Sequence, residues 1–194
     1  RNRRGEIYTL AFSPNSRWLV AGYMDGFARV WNAETGELEA ELDHGEMPRW
    51  VGFSPDSQRV VAAGSGYYDT PSLANVWEFV GGETRRVSAS LTHPNTIVHA
   101  KFSADGQLLF AGDRAGLAQL WDLETSLPLL DRLFVDADGG VSRVGINPQM
   151  TRVFAATYSG NELHQRPLPP RGVAVPDWLP PLAEAVAGNW VNDR

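Results

Sequence analysis

The 194-residue chain has no cysteine, a single lysine and no long apolar run. Without cysteine, disulfides and thiolate metal sites are excluded, and the compartment is left open. The longest apolar stretches fall well short of the ~18 residues that a bilayer-crossing helix needs, so membrane contact is not expected from this segment. Arg1-Asn2-Arg3-Arg4 is a basic start, but it lacks the apolar stretch of a secretory leader. Lys101 stands against sixteen arginines, a bias that implies a GC-rich, bacterial genome. Basic charge is not in excess either: the net charge of −6 argues against a nucleic-acid partner, which selects a basic face. What the chain does have is 43% hydrophobic residues, enough for a sizeable core.

Those residues are periodic. The phrase Phe12-Ser13-Pro14-Asn15 returns as Phe53-Ser54-Pro55-Asp56, as Phe102-Ser103-Ala104-Asp105 and, worn down, as Ile146-Asn147-Pro148-Gln149, at intervals of 41, 49 and 44 residues. A period near 40–45 means a stack of similar small units. Trp31 and Trp121 each follow their Phe by 19 residues, and Trp77 follows by 24 because its unit carries a five-residue insert. Within each unit, β-type runs of four to six residues alternate with turn residues, Asp25-Gly26 and Asp105-Gly106 among them, which predicts antiparallel four-stranded sheets. The fold class expected is all-β: four propeller blades over 1–166, the last incomplete. A Pro-rich linker over 167–176 and a short helical tail over 177–194 follow.

The repeats over Glu6–Arg166 resemble the WD-repeat (WD40) family. His44 and His93 each precede their Phe by nine residues, Trp121-Asp122 is the family dipeptide, and Trp31-Asn32 and Trp77-Glu78 are near variants. The resemblance makes Phe12, Phe53, Phe102, Trp31, Trp77, Trp121, Asp122, His44 and His93 structural positions. In the family a His, a Ser/Thr, an Asp and the Trp form a buried polar network. Here the Ser/Thr position holds Ala21, Ala62, Ala111 and Ala155, and the Asp position, six before the Trp, is filled at Asp25 but not at Pro71 or Ala115. The expectation is therefore blades held by apolar packing, with Trp31 and Trp121 each contributing about 3–5 kcal/mol. Gln165 stands at the expected Trp position of the fourth unit. A chain that opens mid-pattern without Met is expected to be a piece whose upstream repeats complete the ring. The tail Asp177–Gly188 resembles one that follows WD repeats in large bacterial serine/threonine kinases.

No catalytic constellation emerges. The kinase triplets His-Arg-Asp and Asp-Phe-Gly are absent, Gly64-Ser65-Gly66 lacks the third glycine of a dinucleotide fingerprint, and Asp136-Ala137-Asp138-Gly139 lacks the rest of a calcium loop. His44, His93, His99 and His164 do not reach metal-ligand spacing. No cofactor, metal or catalytic residue is expected. The insert Gly64–Ser72 carries Tyr67 and Tyr68, adjacent aromatics suited to anchor a partner, and Arg49, Trp50, Met24 and Arg114 fall on the same propeller face. The function expected is a non-catalytic scaffold for a protein or peptide; the alternative is a kinase's C-terminal sensor arm.

Overall fold

A computed structural model describes residues 5–65, 71–80, 83–87, 90–129, 133–134, 140–158 and 163–168. The first sheet pairs β1 (Ile7–Phe12), β2 (Trp18–Tyr23), β3 (Phe27–Asn32) and β4 (Leu38–Asp43) in chain order. The second pairs β5 (Trp50–Phe53), β6 (Arg59–Gly64), β7 (Ser72–Val80) and β8 (Glu83–Arg86), with β9 (Leu91–His93) also on β7. The third contains β10 (Ile97–Phe102), β11 (Leu108–Asp113), β12 (Leu117–Asp122) and the short β13 (Leu133–Phe134). The fourth contains β14 (Val141–Ile146), β15 (Arg152–Thr157) and β16 (Leu163–Pro167). Every pairing is antiparallel, and the described residues contain no helix. The Pro-rich linker and helical tail lie outside the described residues.

The recurring phrase is a turn that wires itself. Ser13 Oγ donates to Asn15 Oδ1 and accepts the Trp18 N–H at 3.0 Å, while Asn15 Oδ1 accepts the Arg17 N–H at 3.0 Å. Ser54 with Asp56 and Ser103 with Asp105 repeat the arrangement. In the fourth unit Asn147 takes the serine's part, its Oδ1 accepting the Arg152 N–H at 2.7 Å. The fourth residue after each anchor is left-handed, with φ of 60° at Ser16, 62° at Ser57, 69° at Gly106 and 53° at Met150. The Trp-Asx dipeptide has an equally local cause. Asn32 Oδ1 accepts the N–H groups of Glu34 and Thr35, and Asp122 Oδ1 those of Glu124 and Thr125, so the residue after the Trp closes the next turn. Glu78 does no such thing. It binds Arg85 across the β7–β8 hairpin at 2.7 Å; β7 runs on to Val80, and the outer edge of this sheet is split between β8 and β9.

Packing follows from register. Phe53, Val60 and Trp77 stand opposite one another, as do Phe102, Leu109 and Trp121; directly paired residues share a sheet face. The first row packs on Val20, Val30 and Leu42 of the sheet before it, and the second on Val61, Ala74 and Val76 of its predecessor. The second and third blades thus each present a Phe–aliphatic–Trp row to the blade before them. The fourth row is Ile146–Val153–Arg166, so Arg166, and not Gln165, occupies the missing Trp's place; the count from the anchor is one residue out. In the first sheet the row Phe12–Leu19–Trp31 has no blade against it among the described residues; Phe12 is 63% exposed and Trp31 only half-buried. Trp31 is therefore no counterpart of Trp121 in energetic terms, contrary to the expectation that each contributes about 3–5 kcal/mol.

Candidate functional site

One face of the stack gathers the β2–β3 turn, the β4–β5 loop, the start of the β6–β7 loop and the β11–β12 turn. Hydrogen bonds tie these segments together, three of them within a blade and one, at Ser65 and Thr96, between blades. The His44 N–H donates to the Gly26 carbonyl at 3.1 Å, Arg49 Nε to the Ser65 carbonyl at 2.8 Å and the Arg114 N–H to the Thr96 carbonyl at 3.2 Å, and Ser65 Oγ lies 3.3 Å from Thr96 Oγ1. Loops joined in this way form a single framework that can hold exposed side chains at fixed spacing.

Two buried polar networks underlie it, and both use residues that the family pattern did not nominate. His44 is 3% exposed. Asn75 Nδ2 donates to its Nδ1 at 3.0 Å, which leaves the proton on Nε2, and Nε2 donates to the Gly64 carbonyl at 3.0 Å. Arg86 continues the chain by donating to Asn75 Oδ1 and to Ser90 Oγ. Gly64, at φ 105°, has the Ile97 carbonyl oxygen and the Arg49 Cβ 2.9 Å, and the Arg49 backbone N 3.1 Å, from where a Cβ would stand, so the carbonyl that receives His44 belongs to a position closed to side chains.

In the third blade His93 and Asp113 are both fully buried, with Nδ1 3.2 Å from Oδ2 and the imidazole edge on Trp121 at 5.6 Å between centroids. Asp113 also accepts the N–H groups of Ala115 at 2.9 Å and Leu117 at 2.8 Å and the Asn95 amide at 3.2 Å. The acid of this network thus stands eight residues before its Trp, not six. Asp25, the acid that the pattern did nominate, lies on the surface of its turn and pairs with Arg29 at 2.9 Å. The expectation of blades held by apolar contact alone is corrected: the second and third have polar centres built from substitutes.

The nominated partner-binding residues fall as follows. Met24, 53% exposed, is on the β2–β3 turn, and Arg114, also exposed, on the β11–β12 turn. Arg49 immediately precedes β5, where its Nη1 donates to the Tyr8 hydroxyl at 3.0 Å. Trp50, half-buried, lies against the His99 ring at 5.6 Å. Tyr67 and Tyr68 lie outside the described residues. Sequence reasoning missed His99 as a participant; its spacing from His93 drew attention to metal chemistry instead. Among the described residues no group of three His, Asp or Glu side chains is placed to hold a metal ion. On the opposite face, a polar groove lined by Asn15, Arg17, Asp56 and Gln58 follows the seam between the first two blades. There Ser57 Oγ accepts the Asn15 N–H at 3.1 Å.

A sequence model of the WD domain, G-beta repeat, matches residues 2–32 and 85–122. Two stretches of this chain match the WD40 repeat. Each matched stretch ends on a Trp-Asx pair, and the second begins in β8 of one blade and ends with β12 of the next, so the repeat as a sequence unit straddles two sheets. The chain is 26% identical over 160 residues to eukaryotic translation initiation factor 3 subunit I of Emericella nidulans, an alignment covering 79% of this chain and 47% of that protein. The chain thus spans about half the length of this curated relative. The crystal structure of the computationally designed Ika4 protein shares the fold with a TM-score of 0.68 at 22% identity, over 86% of this chain and 93% of that one.

The histidines beneath this face set a pH dependence. Burial pushes the His99 imidazole down to about 4, with Arg143 and Lys101 adding repulsion. Its Nδ1 accepts the Val144 N–H at 3.3 Å, a bond open only to an unprotonated Nδ1. Burial likewise lowers His44, opposed by the Gly64 carbonyl it donates to. A histidine whose folded pKa is depressed binds its proton first in the unfolded chain, so its contribution is complete above ~6.5 and lost as pH falls toward the folded value. Between pH 7.5 and pH 5 the urea midpoint should fall, with His99 accounting for about 1 kcal/mol after allowance for its partial exposure. His99→Phe, which keeps a ring on Trp50, should flatten that slope; an unchanged slope would remove His99 from the account.

Proposed function

We propose that the chain is a non-catalytic interaction scaffold whose protein or peptide partner docks on the face carrying Met24, Arg49, Trp50 and Arg114. The observation that carries this reading is the hydrogen bonding beneath that face, where His44 to Gly64, Arg49 to Tyr8 and Ser65 to Thr96 cross between blades: it fixes the loops while Met24 and Arg114 stay exposed. Rigid presentation of variable side chains lowers the ordering cost of binding, which is the means by which a scaffold without chemistry gains affinity. The relative's name makes that protein a subunit of an assembly, which favours the same role here. No feature of the described blades favours the kinase-arm alternative, which rests on the tail segment alone.

The test is affinity capture from the source cells with the wild-type chain, a Met24→Glu/Arg114→Glu variant and a Glu34→Arg/Gln149→Arg variant on the opposite face. A partner retained by wild type and by the opposite-face variant but lost by the first supports the assignment. Equal retention by all three overturns it.

A further inference from the structure

The innermost strands of the four blades are β1, β5, β10 and β14, which pack side by side in that order. In a chain of net charge −6, these strands carry no Asp or Glu; the single acid adjoining them in sequence is Glu6. They carry instead the chain's single lysine, Lys101, together with Arg143 and His99, and Arg49 directly precedes β5. These groups converge. His99 and Lys101 share a face of β10, and both Lys101 and Arg143 act electrostatically on the His99 ring. The backbone of β14 next to Arg143 bonds that ring at Nδ1, and Trp50 lies against its other flank at 5.6 Å. The side chains of Lys101 and Arg143 are exposed. Arg49 is held by the Ser65 carbonyl and the Tyr8 hydroxyl with its guanidinium over the Tyr8 ring at 5.4 Å, a fixed cation rather than a flexible one. Glu6 and Glu46 lie near the strip, whereas Glu34, Glu37, Glu39 and Asp56 lie on the outer strands and opposite turns.

Building on the scaffold reading above, we propose that this inner strip is the docking site for an acidic peptide segment. Its carboxylates would meet Lys101, Arg143 and Arg49, with its aliphatic portions on Trp50. A short peptide suits the geometry better than a nucleic acid does, because a long polyanion crossing the strip would run onto the acidic rim.

The probe is a fluorescein-labelled ten-residue peptide of alternating Glu and Ala, followed by anisotropy against the full chain. The comparators are its Gln counterpart and a ten-nucleotide single-stranded DNA. The acidic peptide should bind, weaken with added salt, and lose about tenfold or more in affinity in Lys101→Glu/Arg143→Glu, both exposed positions, with an unchanged melting curve. A milder Lys101→Gln variant gives a second reading should the double reversal fail to fold. Equal affinity for the Glu and Gln peptides, no effect of either variant, or tighter binding of the DNA would each overturn the proposal. A captured cellular partner that is lost with Met24→Glu/Arg114→Glu but kept with Lys101→Glu/Arg143→Glu would overturn it while leaving the scaffold reading intact.

Discussion

Replacing Trp121 with alanine should lower the unfolding free energy by about 3–5 kcal/mol, whereas the same change at Trp31 should cost about 1 kcal/mol. The two residues sit at the same register position of equivalent blades, each opposite a leucine that is itself opposite a phenylalanine. What differs is the neighbour. Trp121 is 3% exposed, packed in one cluster with Val61, Ala63, Ala74 and Val76 of the preceding blade, and its removal opens a cavity that branched residues on rigid strands cannot collapse to fill. Trp31 shares its row with Phe12, exposed to 63%, so truncation there gives water more of a surface that it already reaches. Urea unfolding of the two variants, read at far-UV wavelengths because seven tryptophans complicate fluorescence, distinguishes the cases. Equal losses would mean that the Trp31 row is covered in solution.

That contrast shows which kinds of information the sequence carried openly. Turn chemistry was legible because it is local: the serine and the Asx of Phe-Ser-Pro-Asx bond within five residues of each other, so the phrase must recur wherever the turn does. The blades and their order followed from it. The polar centres were not legible, because their partners are distant in sequence and interchangeable in type. Asn75 reaches His44 across 31 residues, and nothing in the sequence around Asn75 marks it. Asp113 was passed over because the pattern counts from the Trp, and an acid at the head of the β11–β12 turn can approach the same imidazole as one at its tip. Arg166 was missed for a similar reason, a one-residue shift in the fourth blade. The candidate site was legible only in part: Arg49, Trp50, Met24 and Arg114 were found on loops, but His99 and Lys101 gained meaning only when β10 was seen between β5 and β14.

Asp113 is where the structure departs furthest from the pattern, and its removal should be as damaging as loss of Trp121. Asp113→Ala leaves the backbone N–H groups of Ala115 and Leu117 and the Asn95 amide without their acceptor, and it strips the fully buried His93 of the one group facing its Nδ1. Each donor left buried without its acceptor costs about 1–3 kcal/mol, so losing all three should cost at least about 3 kcal/mol. Asp113→Asn should recover part of this, since its carbonyl can still accept from Ala115 and Leu117 while its amide meets the Asn95 amide donor to donor. Asp25→Ala is the comparison that decides the matter. Its carboxylate is a surface partner of Arg29, which keeps Glu41 at 2.7 Å, so the loss should be about 1 kcal/mol or less. Chemical denaturation of the three variants ranks them as Asp113→Ala, then Asp113→Asn, then Asp25→Ala. If Asp25 proved the costlier acid, the polar centre would lie in the first blade, where the family pattern put it, and not around His93.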